Sequence, residues 1–195
     1  MTTEVLADEL SASQAARACL AALRGLVGSP DGPIERHSVR VFLLAKELAR
    51  RGPDAIDPEV LLCAAILHDA GLYPGAATKA AYVTDGRRVA ERLLAAEGWP
   101  DERVRLSADA VEHHHQLVTQ WHRGVEVELL RRADLIEVSH GLVRFGLERA
   151  WLAQLRRNVR PDGFVGEVAR QLAVAARRRP ATLWRIVRPP SGLGN

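Results

Sequence analysis

Pro58-Glu59-Val60-Leu61-Leu62-Cys63-Ala64-Ala65-Ile66-Leu67-His68-Asp69-Ala70-Gly71-Leu72 decides how this chain folds. From Val60 to Leu67 every side chain is apolar, so the segment has no face to turn towards water. A helix of that kind belongs in the middle of a bundle, with neighbours on every side. Asp57 supplies a capping side chain, Pro58 stands at the first helical position, and Glu59 sets an acid at the positive helix end. Yet this apolar run ends in an imidazole and a carboxylate, His68 and Asp69, with Gly71 permitting the ending. Buried there, both face a heavy desolvation cost unless something pairs with them, and a metal cation is an efficient partner. Adjacent helical residues point about 100° apart, so the pair shares an ion only if it lies between them near the helix end.

Outward from this segment, every long stretch has helical rather than alternating periodicity, and β-branched runs bounded by hairpin turns do not occur. The chain therefore reads as all-α, one helical domain over residues 1–195. Helices are expected from Glu4 to Leu26, from Pro33 to Arg51 and from Pro58 to Asp69. After an irregular stretch through Thr84, others follow at Asp85 to Glu97, Asp101 to Leu117, Val125 to Ser139, Leu142 to Asn158 and Gly163 to Arg178. A short segment from Thr182 to Val187 precedes a Pro/Gly-rich end.

Helical spacing selects which other polar residues face the central helix. Ile34, Val41, Leu44 and Leu48 form one stripe, and His37 falls on it through Val41 at i+4 and Leu44 at i+7. Val127, Leu130 and Val138 form another, with Asp134 between Leu130 and Val138. Taken alone, each reads more readily as a satisfied core residue, and Asp134 has Arg131 and Arg132 close by in sequence as alternative partners. Together, His37, His68, Asp69 and Asp134 offer the nitrogen and oxygen donors expected of a divalent transition metal.

The order of these residues, a histidine in HSVR, the pair in LLCAAILHDAG and a distant aspartate in RRADLIEVS, resembles the HD-domain superfamily of metal-dependent hydrolases. The resemblance implies an HD-domain helical bundle with its metal-site core over about residues 34–143, and a basic helical extension over 144–195. Carried over position by position, it makes His37, His68, Asp69 and Asp134 the ligands. One divalent ion is expected, with Mn, Fe, Co, Ni or Zn all compatible with such donors.

The triplet His113-His114-His115 is resolved by spacing: Ala110, Val111, Leu117 and Val118 flank His114, so it points inward, while His113 and His115 are expected at a rim or in solvent. The resemblance also favours His114, as a group acting on water or substrate, with Asp69 orienting the water. Lys79 and Arg87 are the expected substrate-binding cations. Asp85 reads as a helix N-cap, and a weaker similarity to cyanamide-hydratase-like HD proteins covers the stretch from Ala81. The leading expectation is a phosphohydrolase acting on a nucleotide or other small phosphate ester. One alternative is addition of water to a small nitrogen compound; another is a non-catalytic regulatory module.

Composition bounds the partners. With 47% hydrophobic and 26% charged residues in 195, the chain is neither disordered nor fibrous. No apolar run approaches the roughly 18–20 residues of a membrane span, and the first residues lack a secretory pattern, so a cytoplasmic protein is expected. Cys19 and Cys63 sit among Ala and Leu and read as small core residues. Residues 1–143 carry 16 Lys/Arg against 21 Asp/Glu, whereas 144–195 carry 11 against 3. That basic tail has no aromatic interleaving and 25 of the 27 cations are Arg, so a solvated or anion-attracting rim is preferred to a nucleic-acid surface, and a small, anionic substrate is expected.

Overall fold

The structure, a computed structural model, describes residues 2–52 and 55–178. The described part is built of helices: α1 (Thr2–Val5), α2 (Ala7–Ala12), α3 (Gln14–Val27), α4 (Pro33–Arg51), α5 (Pro58–Leu67), α6 (Tyr82–Ala96), α7 (Asp101–His113), α8 (Val125–Val138), α9 (Arg149–Asn158) and α10 (Phe164–Arg178), with short 3-10 turns at Ala70–Leu72 and Trp121–Arg123. The segment expected over Thr182 to Val187 lies outside the described residues. None of the described helices is long and apolar enough to cross a membrane.

Helix α5 is the centre of the bundle. Its residues from Val60 to Leu67 are all buried, and α3, α4, α6, α7 and α8 pack around it. Asp57 caps it as its sequence indicates, accepting from the backbone N–H groups of Glu59 and Val60 at 3.1 Å each. The expected stripe on α4 is buried from Ile34 through His37, Val41 and Leu44 to Leu48. On α8, Val127, Leu130 and Asp134 are buried, but Val138 is 42% exposed, because it is the last helical residue and the chain has already left the core.

Several boundaries differ from the expectation, among them the end of α7, which stops at His113 rather than Leu117. The first helix is broken into α1, α2 and α3. Ser13 is extended there, its hydroxyl caps α3 by accepting from the Ala16 N–H at 2.9 Å, and it donates to Glu59 on α5 at 2.7 Å. Helix α6 begins at Tyr82, so Asp85 is not its N-cap; the buried carboxylate accepts from the Thr78 N–H at 3.0 Å and hydroxyl at 2.6 Å, bracing the loop before the helix. Finally, α9 starts only at Arg149. Positive φ at His140, Gly141, Phe145 and Gly146 turns the chain, and the Gly141 N–H closes α8 on Ile136 O at 2.8 Å.

Gly71 does more than end a helix. A Cβ there would lie 1.9 Å from Tyr82 O and 2.6 Å from Gly86 N, because the turn carrying Asp69 presses backbone to backbone against α6. Gly71→Ala is therefore expected to destabilise by about 3 kcal/mol or more, the upper range of overpacking, read as a fall in the urea midpoint. Gly25→Ala is the control: it lies within α3 with no atom within 4 Å of its added methyl, and should be neutral or stabilising. Equal midpoints for the two variants would contradict this role for Gly71.

Candidate metal centre

Three local devices deliver the four cluster residues. Pro33 starts α4 and places His37 just beyond its first turn; α5 ends so that His68 and Asp69 lie in the turn beyond it; α8 carries Asp134. All four are buried, at 4% exposure or less. His37 Nε2 lies 3.1 Å from His68 Nε2, 3.3 Å from Asp134 Oδ1 and 3.7 Å from Asp69 Oδ2. His68 Nε2 stands 3.4 Å from Asp69 Oδ2 and 3.9 Å from Asp134 Oδ1. Donors bound to one ion at about 2.0–2.2 Å are themselves about 3.0–3.6 Å apart, so the separations among His37, His68 and Asp134, and those among His37, His68 and Asp69, lie within a few tenths of an ångström of those at a shared ion.

Hydrogen bonding fixes the tautomers. His68 Nδ1 is 2.8 Å from Ala65 O, and a carbonyl only accepts, so Nδ1 carries the proton and Nε2 presents a lone pair to the cluster. His114 repeats the arrangement, with Nδ1 2.6 Å from Val111 O. Its Nε2 and Asp134 Oδ1 are buried with no hydrogen-bond partner among the described residues, the condition of donor atoms awaiting a cation or water. Because His68 Nε2 can only accept, any proton in the 3.1 Å contact belongs to His37 Nε2. Burial opposes that charge, but Asp134, Glu137 and Asp69 outweigh it and push the His37 pKa up to about 9. Glu137 Oε1 faces the other ring nitrogen at 4.0 Å and also holds Arg40.

A protonated His37 Nε2 cannot offer its lone pair to a cation. Ion binding at pH 7 should release the proton, and apparent affinity should rise about tenfold per pH unit until roughly pH 9, since the ligand must be deprotonated. Titration calorimetry in buffers of differing ionisation enthalpy measures this. A proton count of zero would contradict a charged His37.

The remaining candidates separate. Arg131 and Arg132 both pair with buried Glu128, at 2.7 Å each, which leaves Asp134 to the cluster. His114 is buried, with Nε2 3.9 Å from Asp69 Oδ1; burial, then the neighbouring His115 and His68, push its pKa well down, so the ring is neutral. Two members of the triplet depart from the expectation. His113 is buried, at 3% exposure. His115, with its side chain 25% exposed, reaches inward, and its Nδ1 is 3.0 Å from Asp134 Oδ2. For His115 the reason is that α7 stops at His113, so helical spacing no longer governs its direction. His114, His115 and Asp134 form a donor group of their own beside those built on His68. His122 and His140 are both exposed.

Lys79 is exposed in the loop before α6. Arg87 bridges α6 and α7, pairing with Glu91 at 2.8 Å, with Glu112 at 3.1 Å and with Asp109. Three carboxylates offset its charge, which ties it to the framework.

The family model for the HD domain matches residues 34–139, more than half of the chain. No curated protein matches the sequence.

Proposed function

Because the chain belongs to the HD-domain family, whose members are generally metal-dependent hydrolases, we propose that it hydrolyses a small phosphate ester, such as a nucleotide, at the cluster described above. His37, His68, Asp69 and Asp134 would hold one divalent ion. When bound, such an ion supplies Lewis-acid polarisation of a substrate oxygen and brings the pKa of water down to about 7. The observation that carries the reading is the convergence of buried donors on His68, with His37 and Asp134 on one side and Asp69 and the neutral His114 on the other, and the His114 Nε2 aimed into the same space with no partner. With Nδ1–H given to Val111 O, that Nε2 accepts a proton and so has the form of a general base. Asp69 Oδ1, 3.9 Å away, is placed to orient the water that His114 deprotonates.

The phosphate assignment rests on the chemistry that dominates the family. Lys79 is the exposed cation for an anionic substrate, while Arg87 has its charge taken up within the protein. That engagement of Arg87 favours a second reading, hydration of a small uncharged nitrogen compound. A metal-supplemented panel separates them: phosphate from nucleotides or esters supports the first, and urea from cyanamide supports the second. Stoichiometric metal without turnover of either would favour a regulatory module. Elemental analysis should give one ion per chain; two would bring in the group around His115.

A further inference from the structure

Residues 140–178 lie outside the stretch matched by the family model, yet they are built onto the cluster. Arg36 and Arg40 flank His37 on α4 and clamp the connector after α9. Arg36 Nε donates to Arg160 O at 3.2 Å and its Nη2 to Asp162 O at 2.9 Å; Arg40 Nη1 donates to Arg160 O at 3.0 Å. Gly163, at φ +79°, then turns the chain so closely over Pro33 that a Cβ would lie 3.1 Å from Pro33 Cγ. That turn delivers Phe164, the first residue of α10, onto His37, with ring centroids 3.9 Å apart and planes 21° from parallel. About one helical turn further on, the Tyr73 hydroxyl donates to Glu167 at 2.9 Å. Tyr73 stands immediately after the turn that follows Asp69, and Gln171 donates to the same carboxylate at 3.0 Å. Helix α10 therefore grips both the His37 side and the Asp69 side of the site.

We propose that Phe164 is a positioning residue of the metal centre, that the Tyr73–Glu167 hydrogen bond latches it in place, and that α10 thereby controls exchange of ion and solvent at the cluster. Phe164 is only partly buried while His37 beneath it is wholly buried, so this ring stands between the ligand and solvent on that side. Stacking also holds the imidazole plane, fixing where Nε2 points. Loosening the ring opens a path to the ion and lets His37 swing.

This inference rests on the metal reading above. The test is the rate at which excess chelator strips Co²⁺ from the full-length protein, followed through the visible absorption of the bound ion. Phe164→Leu should release it on the order of tenfold faster, in line with the effect of residues that support metal ligands, and should alter the absorption band. Tyr73→Phe removes only the hydroxyl and should accelerate release by a smaller factor, keeping the proposal testable if the first variant folds poorly. Stoichiometric Co²⁺ with unchanged release from both variants would overturn the role of α10 and leave the metal reading standing. If the wild-type chain takes up no Co²⁺, both fall together.

Discussion

His68→Ala should yield a folded protein that no longer retains stoichiometric divalent metal. His68 is the informative ligand to remove because its imidazole is held neutral: burial, helped by the neighbouring His37, outweighs the Asp69 and Asp134 carboxylates and leaves its pKa lowered, and its Nδ1 proton is committed to Ala65 O. Its loss takes away a lone pair without stranding a buried charge. Asp134→Ala would instead strip the carboxylate from His37 and His115 together, and breaking a buried pair costs about 3–5 kcal/mol before metal is considered. For His68→Ala the structural cost is that of an ordinary core truncation, about 0.5–3 kcal/mol. Metal affinity should fall by more than about 100-fold, since substitutions one shell further out already cost 10–100-fold. Circular dichroism paired with elemental analysis measures both. Full metal occupancy in the variant would show that the four donors do not share an ion.

Removing His114 should produce the opposite division. Its Nε2 faces the cluster without a partner, but His37, His68 and Asp134 form a donor group without it. His114→Ala is accordingly expected to keep its metal within a few-fold of wild type while hydrolysis falls by about 10²–10⁴, the usual contribution of a positioned base. His114→Gln, which keeps polarity and bulk but cannot take up a proton at neutral pH, should be equally slow. Loss of metal along with activity would move His114 into the ligand set, with His115 and Asp134 around it.

How much of this was legible depends on how far each residue's environment is set by its own helix. His37 and Asp134 each lie on an apolar stripe, and a stripe must face the core whichever neighbours form it. His68 and Asp69 end a segment with no polar face, so burial was implied by composition alone. His115 could not be read that way. It sits two residues beyond the end of α7, where the side-chain direction depends on the turn rather than on helical spacing. The partners of Arg87 could not be read for another reason: which carboxylates an arginine meets depends on what the facing helix brings, here Asp109 and Glu112. Residues 142–148 had helical periodicity, but positive φ at Phe145 and Gly146 shows tertiary packing overriding local preference.

By itself the sequence determined the all-helical architecture, the central place of α5 and the inward direction of the residues that converge on the cluster, because hydrophobic periodicity dictates which face of each helix leaves water. Only the tertiary structure decided the atoms: which imidazole nitrogen meets which carboxylate oxygen, that Gly71 serves a backbone contact with α6, and that α10 returns to lay Phe164 on His37. Those outcomes depend on distances between segments far apart in the chain. No local pattern encodes such distances; they are set when the helices pack and the two arginines of α4 capture the returning connector.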